Sequence, residues 1–327
     1  MEDATGLSAD AAEVLRVTEL GVQVPDAWGR QVTVLDRISF AVTRGEALGI
    51  VGEAGSGKTM IALSLLGLVP PPGQVSGSIR LLGHELVGLD EPEWWRVRGR
   101  DVGMIFADAR QSLNPIRTIG SQIEEAVRRH YEGFPHGMKR RWVRERALEA
   151  LFEAGVAAPR QRFGDYPHEL AGDVSQRVMI ALAGANRPRL FVADEPTEGI
   201  DAPVPVQVML HLLRRLFSEA ALVLLTRDPA VAMAVCPRVA VLHAGRIVES
   251  GQAKIVMTAP SHPYTAELLA AAPAPGGPPV SRQLPVGCAY APRCPNAMEH
   301  CRRLRPPLEP MRERLVACWN PLGGDAS

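Results

Sequence analysis

The most constraining feature of the sequence is a glycine-rich run of eight residues, GEAGSGKT, at positions 52–59. The run matches the pattern G-x-x-x-x-G-K-[ST], follows the apolar run ALGIV and precedes the helical pattern TMIALSLLGL. A strand, a glycine-rich turn and a helix in this order surround phosphate groups with backbone N–H donors, because glycine lets the chain turn inward and the helix N-terminus favours negative charge. We therefore predict a phosphate loop, formed by Gly52, Glu53, Ala54, Gly55, Ser56, Gly57, Lys58 and Thr59.

The loop and two carboxylates further along the chain supply candidate residues for nucleotide and metal binding. In a loop of this kind Lys58 would reach the β- and γ-phosphates of a nucleotide, and the Thr59 hydroxyl would ligate Mg²⁺. A second apolar run, LFVA at 190–193, delivers Asp194 and Glu195 at a strand end, and strand ends lie beside the phosphate loop in such folds. Asp194 would orient the Mg²⁺ shell and Glu195 would polarise the attacking water. The alternative is a pair of surface carboxylates that follow a core strand.

The rest of the pattern indicates an α/β fold. Alternating apolar residues predict antiparallel strands near the start of the chain, and later continuous apolar runs predict buried strands. The strand ranges are 13–24, 31–43, 47–52, 75–83 (an edge strand), 101–108, 190–195, 221–228 and a hairpin at 239–251. Residues 110–185 are mostly helical and charged, and a helical pattern also covers 203–220. Strands that alternate with helices imply a largely parallel sheet covered on both faces.

The chain length of 327 residues predicts about two domains. We assign residues 1–252 to a nucleotide-binding domain with a helical subdomain at about 110–185, and residues 253–327 to a C-terminal extension. The segment PAPGGPP at 273–279 is typical of a linker. The part beyond it is rich in proline and arginine and too small to hold a good core, so a metal staple would make physical sense.

Composition argues against several classes of protein. The 36 Lys and Arg residues balance 36 Asp and Glu residues, so we do not expect nucleic acid to be held by charge alone. No apolar run approaches the ~18 residues that a membrane-spanning helix needs. The first residues, MEDATGLSADAAEV, lack the basic and apolar regions of a signal peptide, and we expect a cytosolic protein.

Four of the five cysteines cluster near the C-terminus, with the spacing C-x5-C-x6-C-x16-C. In a cytosolic chain such clustering favours metal or redox chemistry over disulfides. The spacing differs from that of zinc fingers and of small ferredoxins, so the residues alone leave open Zn²⁺, a [4Fe–4S] cluster or free thiols. The clustered cysteines are Cys288, Cys294, Cys301 and Cys318. The arginines expected to offset an anionic cluster are Arg293, Arg302, Arg303 and Arg305. Cys236 is expected to be an ordinary buried thiol.

With these motifs the chain resembles the ATP-binding subunits of ABC transporters, and specifically the dipeptide/oligopeptide (peptide/nickel) importer branch. The resemblance covers nearly the whole chain. The HPYT segment and the cysteine-rich tail are typical of that branch and not of ABC ATPases generally. The matching segments are residues 52–59, 112–115, 166–170, 176–178, 193–197, Asp201 and 262–265.

The resemblance implies a P-loop NTPase fold of the ABC type, with an antiparallel β subdomain, a helical subdomain and a small cysteine-rich extension. It implies two ATPase subunits that sandwich two ATP molecules with Mg²⁺, and a dimer seam that includes Gly172 and Asp201. It further implies two membrane-spanning permease subunits, an extracytoplasmic substrate-binding protein and a location at the cytoplasmic face of the membrane. For the four clustered cysteines it implies a [4Fe–4S] cluster.

Several positions depart from the family pattern. Ala107 stands where the family has a glutamine that senses the γ-phosphate, and Arg227 stands at the switch histidine, although arginine cannot accept a hydrogen bond. In the signature motif, Ala171 removes a hydroxyl donor, and Asp173 replaces a glycine that should approach the partner-bound phosphate. Like charges about 4 Å apart cost about 1 kcal/mol in water and about 4 kcal/mol at an effective dielectric of 20. The family's adenine-stacking aromatic aligns near Val24, and Trp28 could substitute weakly.

These departures predict a subunit that binds Mg-ATP but hydrolyses it slowly, paired with a more active paralogous ATPase. One alternative is a regulatory module that binds nucleotide without hydrolysing it. Another is an importer ATPase for nickel or a different small solute. A soluble ABC ATPase that acts on nucleic acid or ribosomes is disfavoured, because such chains usually carry two cassettes and this sequence has one phosphate loop.

Overall fold

The computed structural model describes residues 13–130, 139–198, 220–270 and 285–323. The strands in these ranges are β1 (Glu13–Pro25), β2 (Gln31–Thr43), β3 (Ala47–Val51), β4 (Gln74–Leu81), β5 (His84–Glu85), β6 (Val102–Ile105), β7 (Leu190–Asp194), β8 (Ala221–Thr226), β9 (Arg238–His243), β10 (Arg246–Gln252), β11 (Glu309–Met311) and β12 (Arg314–Val316). The α-helices are α1 (Lys58–Leu65), α2 (Glu91–Val97), α3 (Ala109–Ser112), α4 (Ile119–His130), α5 (Lys139–Glu153), α6 (Pro159–Arg162), α7 (Gly172–Gly184), α8 (Pro229–Val235), α9 (Ala253–Thr258), α10 (Pro263–Leu269) and α11 (Glu299–Arg303).

The chain divides into two units. The first comprises residues 1–89 and 223–327, and the second comprises residues 90–222. The phosphate loop and the described part of the extension thus belong to one unit, while the division at residue 252 stays a prediction. Three features expected from the sequence lie outside the described residues, namely the helical pattern at 203–220 except for its last residue, the linker at 273–279 and Asp201.

One sheet of the first unit has the strand order β2-β1-β4-β5, with antiparallel neighbours. The antiparallel pairing predicted for the first two strands is confirmed, and their alternating apolar side chains, such as Leu15, Leu20 and Leu35, are fully buried. The predicted edge strand at 75–83 corresponds to β4. It pairs with β1 on one side and only at Arg80 and Leu81 with the short β5 on the other, so it lies next to the edge.

A second sheet of this unit carries the phosphate loop and has the strand order β11-β12-β10-β9-β3-β8. Strand β3 runs parallel to β9, with Leu48 opposite Arg238, and the predicted hairpin β9–β10 is confirmed as antiparallel. The two strands of the extension were not predicted. Strand β12 pairs with β10 and so continues the sheet of the phosphate loop. The described part of the tail therefore packs against this sheet and does not form a separate core.

The second unit contains the predicted helical stretch and two parallel strands, β6 and β7, with Val102 opposite Leu190. Buried Arg146 on α5 donates from Nε to the Ala185 carbonyl at 2.8 Å and pairs with Glu149 and Glu153. Such pairing satisfies a guanidinium that would otherwise be costly to bury. The sequence analysis missed helix α2, although Asp90 and Glu93 form a capping box at its start.

Candidate nucleotide-binding site

The phosphate loop connects the buried end of β3 to α1, whose first residue is Lys58. Two of its glycines are required, Gly52 by a close backbone contact and Gly57 by its positive φ angle. A Cβ atom at Gly52 would lie 2.3 Å from the Leu242 carbonyl oxygen. At Gly57 the φ angle is +111°, and a Cβ atom would lie 2.7 Å from Leu35 Cδ2. The glycine spacing read from the sequence is therefore a packing requirement as well as a way to bring backbone N–H groups to a ligand.

The polar groups of the loop fit a phosphate ligand. Lys58 is buried, and its Nζ donates to the carbonyl oxygens of Gly52 at 2.8 Å and Glu53 at 3.1 Å. The Ser56 hydroxyl is also buried and has no hydrogen-bond partner among the described residues. A buried hydroxyl of this kind is costly unless it meets a ligand or water. Thr59 is exposed on the first turn of α1, where its hydroxyl is accessible to a metal ion.

Arg227 lies at the border of the phosphate loop. The Gly52 N–H donates to the carbonyl oxygen of Thr226 at 3.3 Å, and Thr226 is fully buried at the end of β8. Arg227 follows directly and is exposed. The position that the family resemblance assigns to the switch histidine is thus next to the loop, and in this chain it carries a permanently charged donor.

The two candidate carboxylates belong to the second unit. Asp194 is buried at the end of β7, and Glu195 follows it in a left-handed conformation with φ of 44°. A left-handed conformation costs a non-glycine residue about 1–2 kcal/mol, and such strain is concentrated at functional positions. The Glu195 carbonyl accepts from the Glu198 N–H at 3.0 Å, which closes a turn directly after the strand.

Ala107 lies between β6 and α3 in the second unit. The preceding Phe106 carbonyl accepts from Gln176 Nε2 at 3.3 Å, and the following Asp108 caps α3 by accepting from the Gln111 N–H at 3.1 Å. The backbone on both sides of Ala107 is therefore held in place. Its methyl side chain offers neither an oxygen for a metal ion nor a hydrogen bond for water.

The signature residues lie at the start of α7. Ala171 occupies the N-cap without a side-chain hydrogen bond, Gly172 is the first helical residue, and Asp173 lies in the first turn. A carboxylate in the first turn interacts favourably with the helix dipole. The carboxylate also puts negative charge at the helix N-terminus, where the helix dipole would otherwise stabilise an anionic ligand. Asp173 therefore suits the helix and opposes phosphate binding there.

The HPYT segment, residues 262–265, reaches the phosphate loop. Burial lowers the pKa of His262 to about 3, so its ring is neutral, and its Nδ1 accepts from the Tyr264 N–H at 3.0 Å to cap α10. The buried Glu249 carboxylate accepts the N–H groups of Ser261 and His262 at 2.9 Å each. Tyr264 is thereby held with its hydroxyl 3.1 Å from the Glu53 nitrogen, which donates to it.

The four clustered cysteines line one small pocket in the extension, together with His262, Tyr290 and Trp319. Burial raises the pKa of the Cys288 and Cys294 thiols, and raises that of Cys318 to about 11. Among the residues that the structure describes, no three His, Cys, Asp or Glu side chains are arranged to hold a metal ion. The side-chain arrangement in this structure thus gives the predicted [4Fe–4S] cluster no support beyond the shared pocket. Cys236 is buried at 3% exposure, as expected.

Three of the four arginines expected to offset an anionic cluster form ion pairs with carboxylates, and their role beside a cluster stays a prediction. Arg293 pairs with Glu53 and Glu267, Arg303 pairs with Glu299, and Arg305 pairs with Asp36. Their charges are neutralised by carboxylates, most of which are far away in the sequence. Arg293 and Tyr264 both contact Glu53 of the phosphate loop. The sequence analysis missed these contacts, although it had singled out the HPYT segment.

A strand, a glycine-rich loop and a helix that begins at the loop lysine define a P-loop nucleotide-binding protein. The family model described as ABC transporter matches residues 35–198, and the model described as the C-terminal region of oligopeptide/dipeptide transporters matches residues 248–301. The chain therefore belongs to the ABC transporter ATP-binding family, in the branch that carries this C-terminal region. The resemblance found in the sequence is confirmed.

Relatives match over nearly the full chain. The dipeptide transport ATP-binding protein DppD of Haemophilus influenzae is 41% identical over 322 residues, which cover 94% of this chain and 96% of the relative. The oligopeptide transport ATP-binding protein OppD of Salmonella typhimurium is 39% identical over 335 residues, 98% of each chain. A dimeric ATP-binding cassette solved in a post-hydrolysis state with ADP and phosphate has a TM-score of 0.64 at 25% identity, and it covers 73% of this chain and 98% of that chain. These likenesses confirm the expected α/β P-loop fold of the ABC type.

Proposed function

We propose that this chain is the ATP-binding subunit of an importer for dipeptides or oligopeptides. The observation that carries the proposal is that an intact phosphate loop and the peptide-transporter C-terminal region occur in one chain and contact each other at Glu53. Relatives named as dipeptide and oligopeptide transport ATP-binding proteins support the substrate class. No helix in the described ranges is long and apolar enough to cross a membrane. On the strength of the family relatives, we assign the translocation path to two permease subunits, which receive substrate from an extracytoplasmic binding protein.

In this proposal the loop binds the triphosphate of ATP at the cytoplasmic face of the membrane. Lys58 leaves the loop carbonyls to contact the β- and γ-phosphates, and the Ser56 hydroxyl donates to a phosphate oxygen. Thr59 and Asp194 would hold Mg²⁺, which neutralises phosphate charge when it is bound. Glu195 orients the attacking water. Closure of two such subunits on ATP would then shift the permeases between two states.

We infer that this subunit hydrolyses ATP slowly and works beside a paralogous, more active ATPase. Ala107 and Arg227 remove the groups that position water and sense the γ-phosphate, and Asp173 brings negative charge to the phosphate of the partner's site. Each loss of about 1.4 kcal/mol in transition-state stabilisation slows the reaction tenfold. The same departures support a second candidate, a regulatory subunit that binds ATP and stabilises the closed dimer without hydrolysing it.

The assembled importer tests this function directly. We expect the complex of both ATPases and both permeases, reconstituted in proteoliposomes, to show ATPase activity that rises several-fold when the binding protein is loaded with a dipeptide or oligopeptide. The binding protein without peptide is the control. A complex stimulated only by nickel chelates or another small solute would contradict the assignment to peptides.

We also propose that the cysteine pocket binds a thiophilic metal centre, with a [4Fe–4S] cluster favoured over zinc. Support comes from the convergence of Cys288, Cys294, Cys301 and Cys318 on one pocket and from the family resemblance. When bound, such a centre would cross-link the short extension. We expect anaerobically purified protein to contain iron and sulfide and to absorb visible light, and replacement of Cys301 by serine to abolish both signals. Stoichiometric zinc without iron would contradict the cluster.

A further inference from the structure

The extension contacts the phosphate loop at one residue, Glu53, through both its backbone and its side chain. The Glu53 N–H donates to the Tyr264 hydroxyl at 3.1 Å, across 211 positions of sequence. The Glu53 carboxylate receives two hydrogen bonds from Arg293, from Nη1 at 3.2 Å and from Nη2 at 3.1 Å, across 240 positions. A carboxylate bound by two nitrogens of one guanidinium is fixed in orientation as well as in charge.

Tyr264 is a rigid acceptor. Its side chain is fully buried, and its ring centroid lies 4.1 Å from that of His243 and 5.5 Å from that of Tyr290. It belongs to the same core cluster as Val51, the last residue of β3 before the loop. The position of the Tyr264 hydroxyl is therefore set by the core that also supports the start of the phosphate loop.

Arg293 is held between two carboxylates. Besides Glu53 it binds Glu267, whose other oxygen accepts from the Tyr290 hydroxyl, and its guanidinium lies 5.7 Å from the Tyr290 ring centroid. The side chains of Glu53, Arg293 and Glu267 are only 32%, 22% and 24% exposed. Partial burial makes such charge pairs stronger than pairs on an open surface.

The Glu53 peptide is also bound to the loop lysine, because the Glu53 carbonyl accepts from Lys58 Nζ at 3.1 Å. Glu53 thus joins the loop lysine, the HPYT segment and the cysteine-rich tail. Without Arg293 the Glu53 carboxylate would be an uncompensated negative charge beside the place where the triphosphate binds. Like charges in that position would weaken ATP binding.

We propose that Arg293 and Tyr264 are positioning residues for ATP, and that the C-terminal extension is part of the nucleotide site. Arg293 neutralises and orients the Glu53 carboxylate. Tyr264 holds the Glu53 peptide in place while Lys58 leaves the loop carbonyls and binds phosphate. This inference rests on the proposed function only in taking the phosphate loop as the ATP site. It assigns to the extension a role in nucleotide affinity that does not require a metal centre.

The test is equilibrium binding of a fluorescent ATP analogue with Mg²⁺ to the full chain. We expect Arg293→Gln to weaken binding about tenfold, Arg293→Lys to stay within threefold of the wild type, and Tyr264→Phe to weaken binding about threefold. The decisive variant is the double substitution Glu53→Gln with Arg293→Gln. It removes both charges and is expected to recover affinity to within threefold of the wild type. A purely structural role of Arg293 in folding the tail would not be rescued by a change at Glu53.

Arg303→Gln is the matched control, because Arg303 lies on the same extension but pairs with the exposed Glu299. It is expected to bind the analogue as the wild type does. Wild-type affinity in Arg293→Gln, or a double variant as weak as Arg293→Gln, would overturn the inference. Lys58→Ala separates this failure from that of the function. If Lys58→Ala binds normally, the phosphate loop is not the ATP site. If only Lys58→Ala loses binding, the loop holds ATP without help from the extension.

Discussion

Replacement of Lys58 by alanine is expected to weaken ATP binding by at least about 100-fold and to abolish substrate uptake. Lys58 is the buried cation of a loop that otherwise offers a phosphate only backbone N–H groups and the unpartnered Ser56 hydroxyl. A hydrogen bond to a charged group contributes about 1.5–3 kcal/mol, and Lys58 is assigned contacts to two phosphates. The resulting loss of about 2.7 kcal/mol or more corresponds to 100-fold in affinity. Titration of the full chain with a fluorescent ATP analogue measures this loss.

Lys254→Ala is the control for this substitution. Lys254 is an exposed lysine on α9, and its side chain can be removed without changing the charge of the phosphate loop. We expect its affinity and uptake to equal those of the wild type. An unchanged affinity in Lys58→Ala would show that the glycine-rich loop does not hold the triphosphate, and the proposed function would fail with it.

The two ATPases are expected to contribute unequally to the ATP turnover of the complex. In the assembled complex, we expect Glu195→Gln to remove less than half of the ATP turnover. The equivalent change in the partner ATPase is expected to remove more than 90%. Residues of a catalytic unit act together, so the loss of one matters little when others are already absent. Under the proposed slow hydrolysis, Ala107 and Arg227 stand where two such groups would be.

Restoring the missing groups provides the converse control. With Ala107→Gln and Arg227→His together, Glu195→Gln should become strongly inhibitory, because the restored side chains again depend on the water that Glu195 orients. Phosphate release by the purified complex measures both backgrounds. If Glu195→Gln abolishes most turnover in the otherwise unchanged complex, this subunit is the main hydrolytic site and the departures from the family pattern are compensated elsewhere.

The parts of this molecule that were predictable from sequence are those with a local signal. The phosphate loop, its flanking strand and helix, and the hairpin β9–β10 were predicted, because glycine spacing and apolar periodicity are properties of short windows. Helix α2 had such a signal in Asp90 and Glu93 and could have been found. The left-handed conformation of Glu195 had none, since it follows from the turn that Glu198 closes.

The parts that were not predictable depend on pairing between distant residues. Strands β11 and β12 are three residues each, too short for a periodic pattern, and β12 forms by pairing with β10. Arg293 was interpreted by its neighbour Cys294 in sequence, whereas its partner Glu53 lies 240 positions away. The tail therefore looked like a separate metal-stapled unit, when its described residues are built onto the sheet of the phosphate loop.

The C-terminal extension contacts the phosphate loop through Glu53. Family membership explains why residues 248–301 are present, but the contacts to Glu53 indicate what they do for the nucleotide site. If Arg293 neutralises Glu53, ATP affinity depends on this ion pair. A substitution at Arg293 in the tail then acts on the phosphate loop through the charge of Glu53.

Site-resolved photolabelling can show whether this subunit holds ATP and cleaves it slowly. The assembled complex is incubated with 8-azido-ATP labelled at either the α- or the γ-phosphate, cross-linked after defined times, and separated into its subunits. We expect this subunit to keep both labels after the partner ATPase has lost the γ-label. If this subunit loses the γ-label as fast as its partner does, it is not the slow site. If the α-label does not attach to it in a Lys58-dependent manner, its phosphate loop does not hold ATP.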